Sequence, residues 1–91
     1  MQVKFVKHPE NDVIPPRNPD IKSPIIYELA SSFTDKPNSK YWLRCHKCGL
    51  SANLGDHDVT IKDGAVTINP SIMCPNSKCD AHYWIKDGQV V

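Results

Sequence analysis

Two close cysteine pairs constrain this 91-residue chain more than any other feature: Cys45-His46-Lys47-Cys48 and, after a gap of 25 residues, Cys74-Pro75-Asn76-Ser77-Lys78-Cys79. One zinc ion needs four ligand atoms at roughly 2.0–2.3 Å, and two or four residues between thiolates let a single tight turn deliver both. The turn chemistry agrees. Gly49 directly follows the first pair and tolerates positive φ, while Pro75 and Asn76 open a turn inside the second. We therefore expect one structural Zn2+ per chain, held by Cys45, Cys48, Cys74 and Cys79. Cys79 also forms a ligand-spaced pair with His82, so a Cys45, Cys48, Cys79, His82 set is the alternative, with Cys74 left as a small buried hydrophobe. Two disulfides would be the competing use of these cysteines. They suit exported proteins, and residues 1–7 contain neither an apolar core nor a small-residue cleavage site. Reduced thiols and a cytoplasmic location are the expectation. His46 is expected to point to solvent, and His8 and His57 to sit in polar loops.

A chain this short supports one domain and lies near the size at which metals supplement a limited core. Structural zinc binds with about 10–16 kcal/mol, against about 5–15 kcal/mol for the stability of a whole domain, so metal removal should unfold at least the second half. No apolar run approaches the length of a membrane span. Organisation changes near residue 40. Residues 1–40 read as an N-terminal strand, a proline-rich arm and a short element, and residues 41–91 as a zinc-ribbon-like module, the whole forming one cooperative domain. Residues 2–7 alternate as a strand with Val3 and Phe5 on one face. Five prolines within 8–24 forbid a helix or a central strand and favour an extended arm, which cannot bury itself and must rest on its own domain or on a partner. Residues 25–33 fit two patterns. Ser23-Pro24 with Ile25, Ile26, Leu29 and Phe33 suits a helix, whereas alternation of Ile25, Tyr27 and Leu29 suits a strand, which we favour.

In the second half, residues 41–44 enter the first knuckle and 50–54 leave it, as the two arms of a hairpin would. Val59-Thr60-Ile61 and Ala65-Val66-Thr67-Ile68 flank Lys62-Asp63-Gly64, and an Asp-Gly step between alternating β-branched residues is a strong hairpin signal. Residues 81–85 leave the second knuckle, and Lys86-Asp87-Gly88-Gln89 turns the chain toward Val90 and Val91. The expected fold is a small all-β, or at least β-rich, zinc-ribbon-like domain: antiparallel hairpins clamped by one metal, with a proline-rich N-terminal arm. Over residues 41–91 the pattern Asn69-Pro70-Ser71-Ile72, Cys79, His82-Tyr83-Trp84-Ile85, a charged turn with Gly88, and Val90-Val91 resembles the C-terminal signature of a family of small, functionally unassigned bacterial and phage proteins. The resemblance implies a zinc-binding β module, located in the host cytoplasm if phage-encoded. It adds weight to His82 as a ligand and leaves the activity open.

The function expected from these features is non-enzymatic. A rigid ribbon beside an extended arm suits a protein-binding adaptor, regulator or inhibitor, with Trp42, Tyr83 and Trp84 near the knuckles and Pro15, Pro16 and Arg17 of the arm as contact residues. Strand alternation should turn one member of each pair, Tyr41-Trp42 and Tyr83-Trp84, inward. Nucleic-acid binding is the alternative. Four thiolates around a divalent ion contribute two net negative charges and convert the sequence total of +1 to −1, so the basic footprint that nucleic acid requires is missing. A closed ligand shell leaves no coordination position for catalysis at the metal, and a zinc hydrolase using Asp80 as base is the least favoured reading. The chain has no glycine-rich phosphate loop, no GxSxG elbow and no dinucleotide fingerprint, so no enzyme activity and no small-molecule substrate are expected.

Overall fold

A computed structural model describes residues 1–9, 12–14, 21–76 and 78–91. The expected contact residues Pro15, Pro16 and Arg17 lie outside the described residues. The described chain forms strands β1 (Lys4–Lys7), β2 (Ile25–Glu28), β3 (Tyr41–Arg44), β4 (Ser51–Asn53), β5 (Asp58–Lys62), β6 (Ala65–Met73), β7 (His82–Lys86) and β8 (Gln89–Val90), with a short 3-10 helix over Pro37–Lys40. They make two four-stranded sheets, ordered β1-β2-β3-β4 and β5-β6-β7-β8. The protein is thus small and β-rich, with a four-cysteine cluster able to bind a metal, in keeping with a zinc-ribbon-like domain.

The second sheet follows its turn chemistry. Asp63 and Gly64 have φ of 52° and 80°, and Asp87 and Gly88 have φ of 52° and 77°. Two successive positive φ values define the tight turn whose twist matches that of its flanking strands, and glycine adopts the second at no steric cost. These turns join β5 to β6 and β7 to β8 as antiparallel hairpins. The longer β6–β7 hairpin is closed by the second knuckle. Its register shifts between Ile68, opposite Ile85, and Ile72, opposite Tyr83, so that residues 69–71 of β6 face Trp84 alone. The Asn69-Pro70 peptide within this bulge is cis.

The first sheet differs from a stack of hairpins. Residues 25–28 are a strand, but β1 pairs with β2 in parallel, Lys4 opposite Ile25 through Lys7 opposite Glu28. Parallel neighbours need a connection of about a dozen residues or more, and residues 8–24 provide it. Where the arm is described it rests on its own domain: the His8 N–H donates to Glu28 O at 2.9 Å, and the Ala30 N–H donates to Asp12 Oδ1 at 2.7 Å. β3 pairs with β2 on one side and with β4 on the other, so the first knuckle belongs to the first sheet, and the boundary between the sheets falls between Asn53 and Asp58.

Both sheets share one core. Ile26, Leu43 and Leu54 from the first side meet Ile68, Ile72, Tyr83 and Ile85 from the second, with Cys45, Cys48 and Cys74 in the same buried cluster. The N-terminal residues cross between the sheets: the Val3 N–H donates to Gly88 O at 2.9 Å, and the Val90 N–H donates to Met1 O at 2.8 Å. Among the described residues no helix is long and apolar enough to cross a membrane.

Candidate functional site

The two knuckles converge. The sulfur atoms of Cys45, Cys48, Cys74 and Cys79 all lie within 4.8 Å of one another, with Cys45–Cys79 at 3.8 Å and Cys48–Cys74 at 3.3 Å. A tetrahedron of sulfurs about 2.3 Å from a central ion has edges of roughly 3.8 Å, so the spacing fits a metal, and it is far longer than the roughly 2.05 Å of a disulfide. Local backbone builds each turn. The Gly49 N–H donates to Cys45 O and the Cys45 N–H to Leu50 O, while the Cys74 N–H donates to Ala81 O and the Cys79 N–H to Asn76 O. Burial opposes ionisation of Cys48, but the Leu50 backbone and the surrounding thiols outweigh it and lower its pKa to about 7; burial, reinforced by Cys48 and Cys45, pushes Cys74 upward. Thiols so close cannot all ionise unless a cation lies among them. Four soft donors in a mostly buried cluster can therefore hold a metal ion.

His82 lies outside this cluster. Its Nε2 is 2.7 Å from the hydroxyl oxygen of Ser71, a residue that sequence reasoning noticed only as part of the Pro-Ser-Ile pattern. The strands explain the meeting. Ile72 and Tyr83 are opposite each other and both buried, so alternation turns Ser71 and His82 to the outer face of the sheet, as diagonal neighbours across β6 and β7. Diagonal positions are within reach of a long aromatic side chain, and the bulge at 69–71 is where β6 departs from regular register. The His82 ring packs on Trp84 with centroids 4.0 Å apart. A hydroxyl bonded to an imidazole is the minimal nucleophile–base arrangement. Beside it opens a cleft of about 340 Å³, lined by Thr67, Asn69, Ser71, Trp84 and Lys86 among others.

Other expected positions fall elsewhere. Tyr83 is buried, with its hydroxyl donating to Cys45 Sγ at 3.3 Å and accepting from the His46 backbone N–H at 3.1 Å, so it is not a surface contact. Burial together with the Cys45 bond raises its pKa. His46 does not point to solvent: its Nδ1 is 2.6 Å from the same hydroxyl, and burial and then Lys47 lower its pKa. Trp84 is 52 % exposed, whereas Trp42 is half-buried with its ring edge against Phe33. Asp80 pairs with Lys47 at 3.3 Å on the surface. His57 lies in the loop between β4 and β5, and its Nε2 is 3.3 Å from the carbonyl oxygen of Ser71.

Fold and site together define a small cysteine-clamped β protein that carries a Ser–His pair on the outer face of its second sheet. The chain belongs to the family described as BubE, the bacterial ubiquitination-like system serine protease, whose model matches residues 17–91. No curated protein and no solved structure matches it. The family description overturns the expectation of a non-enzymatic protein. That expectation rested on a closed cysteine shell as unsuited to chemistry at the metal, and it extended the conclusion to the whole surface without weighing the serine beside His82.

Proposed function

We propose that this protein is a serine protease of a bacterial ubiquitination-like system, with Ser71 as nucleophile and His82 as general base. The observation that carries the reading is the 2.7 Å contact between His82 Nε2 and Ser71 Oγ in a chain whose family is described as a serine protease. In the reaction so assigned, Ser71 Oγ attacks the carbonyl carbon of a peptide bond while His82 Nε2 takes the hydroxyl proton. The imidazolium then donates that proton to the departing amine, leaving an acyl group on Ser71. A water molecule, deprotonated by His82, hydrolyses the ester and restores both residues. Among the described residues no carboxylate bonds the His82 ring, and its packing on Trp84 holds the imidazole instead. The substrate is a polypeptide, and the protein partner is met as that substrate, with a side chain lodged in the cleft lined by Trp84 and Lys86.

The four cysteines hold one Zn2+, whose contribution is structural cross-linking. Ser71 lies three residues before Cys74 and His82 three residues after Cys79, so the knuckle closing this hairpin also sets the spacing of nucleophile and base. Labelling with a fluorophosphonate tests the assignment: Ser71 should be modified in the unsubstituted protein, and Ser71→Ala and His82→Ala should each reduce labelling about 10³-fold or more while remaining folded. Unchanged labelling in Ser71→Ala would overturn it. Elemental analysis should find one zinc per chain.

A further inference from the structure

We propose that His57 is a positioning residue that holds Ser71 in its reactive orientation; the inference rests on the reading of Ser71 as nucleophile. His57 stands immediately before β5, whose first residue Asp58 pairs with Asn69 of β6, so the β5–β6 hairpin brings it beside Ser71. Its Nε2 meets the Ser71 carbonyl oxygen at 3.3 Å. A carbonyl oxygen only accepts, so this ring nitrogen carries a proton and donates. The other ring nitrogen, Nδ1, is buried without a hydrogen-bond partner among the described residues.

The backbone on either side of the ring is pinned. The His57 N–H donates to Leu54 O at 3.1 Å, and the His57 carbonyl accepts from Asn38 Nδ2 at 2.7 Å. Asn38 belongs to the 3-10 helix, next to the fully buried Ser39. The imidazole thus extends the end of the β5–β6 ladder onto the bulge of β6, from a backbone anchored to Leu54 and Asn38. Its point of attachment lies where support is needed. In a regular ladder both neighbouring strands orient each peptide, but β6 shifts register over residues 69–71, and an orientation there must be imposed by other means. Fixing the Ser71 carbonyl fixes the peptide plane beyond its Cα and so restricts the direction of its Cβ, from which the χ1 rotamer places Oγ. The Oγ must then meet His82 Nε2, and a displacement of about 1 Å at a nucleophile costs up to roughly 10²-fold in rate.

The test uses the full chain with its metal and a fluorophosphonate as probe, reading the second-order rate of Ser71 labelling alongside the thermal midpoint. His57→Leu, which lacks the donor, should label about 10–100-fold more slowly. His57→Gln, which can present an N–H from nearly the same place, should recover to within about threefold, with its midpoint close to that of the parent. Parent-like labelling of His57→Leu, or a His57→Gln variant as slow as His57→Leu, would overturn the proposal. Nitrogen-15 shifts of the unsubstituted protein supply a readout independent of any variant: the His57 ring should carry its proton on Nε2, and a ring with only Nδ1 protonated would also overturn it. Persistent labelling of Ser71→Ala would instead strike at the reading of Ser71 itself, so the two failures are separable.

Discussion

The two knuckles are chemically alike and do different work. The first, Cys45 to Cys48, caps the β3–β4 hairpin, is tied down by the Gly49 and Leu50 backbone, and lies within the buried cluster shared by both sheets. The second, Cys74 to Cys79, caps the β6–β7 hairpin, includes the less buried Cys79, and leads on both sides to residues that face solvent. One knuckle anchors and the other presents. The difference arises from the strands leaving each turn: the neighbours of buried Leu43 are the half-buried Trp42 and the buried Arg44, whereas the outward neighbours of buried Ile72 and Tyr83 include Ser71 and His82.

Removing the metal should erase the distinction and has the largest expected effect. Structural zinc contributes about 10–16 kcal/mol, more than most domains of this size can lose, so a strong chelator or Cys48→Ser should abolish the cooperative unfolding transition together with fluorophosphonate labelling. Retention of both would show that the core holds the knuckles without help. Core truncation then separates the two hairpins. Leu43→Ala and Ile72→Ala should each cost about 2–5 kcal/mol in denaturant melts, but only Ile72→Ala should also slow labelling under conditions where both remain folded, because Ile72 adjoins Ser71. Equal labelling would mean that the second hairpin does not depend on its inward residue for geometry.

Smaller still is Tyr83→Phe, which removes the hydroxyl linking Cys45 and His46. A cost of about 1–2 kcal/mol in thermal or chemical unfolding is expected, with the metal content unchanged. The smallest effect is expected for Lys47→Ala. Its pair with Asp80 joins the knuckles across the surface, with side chains 52 % and 93 % exposed, and salt should screen what remains, leaving a change below about 0.5 kcal/mol. A larger loss would show that the knuckles communicate through charge as well as through the sulfur cluster.

Much of the fold was legible in short-range patterns. The Asp63-Gly64 and Asp87-Gly88 turns, the β3–β4 hairpin around the first knuckle and the strand at Ile25–Glu28 all follow from local turn chemistry and alternation. The parallel pairing of β1 with β2 was not, because a crossover leaves no periodic mark and only the length of 8–24 permits it. The chemistry was hidden for a different reason. A lone serine has no ligand-like spacing, and His82 stood close enough to Cys79 to pass for a ligand. Counting outward from the second knuckle offers the missing signal: in an antiparallel hairpin closed by Cys74 and Cys79, the third residue before one and the third after the other fall near each other. His57 had a comparable but unread signal, since it directly precedes Asp58, which pairs with Asn69, so the β5–β6 hairpin register itself carries it to Ser71.

Ser71 and His82 are only eleven positions apart along the chain. The entropy of bringing them together is that of closing one short loop, a cost that grows only slowly with length and is small here from the outset. Ser71 and His82 therefore share one unfolding unit. Fraying of β1 or of the arm leaves them together, and separating them requires opening the very loop that the cysteines close, so loss of the pair and loss of the clamp are a single event.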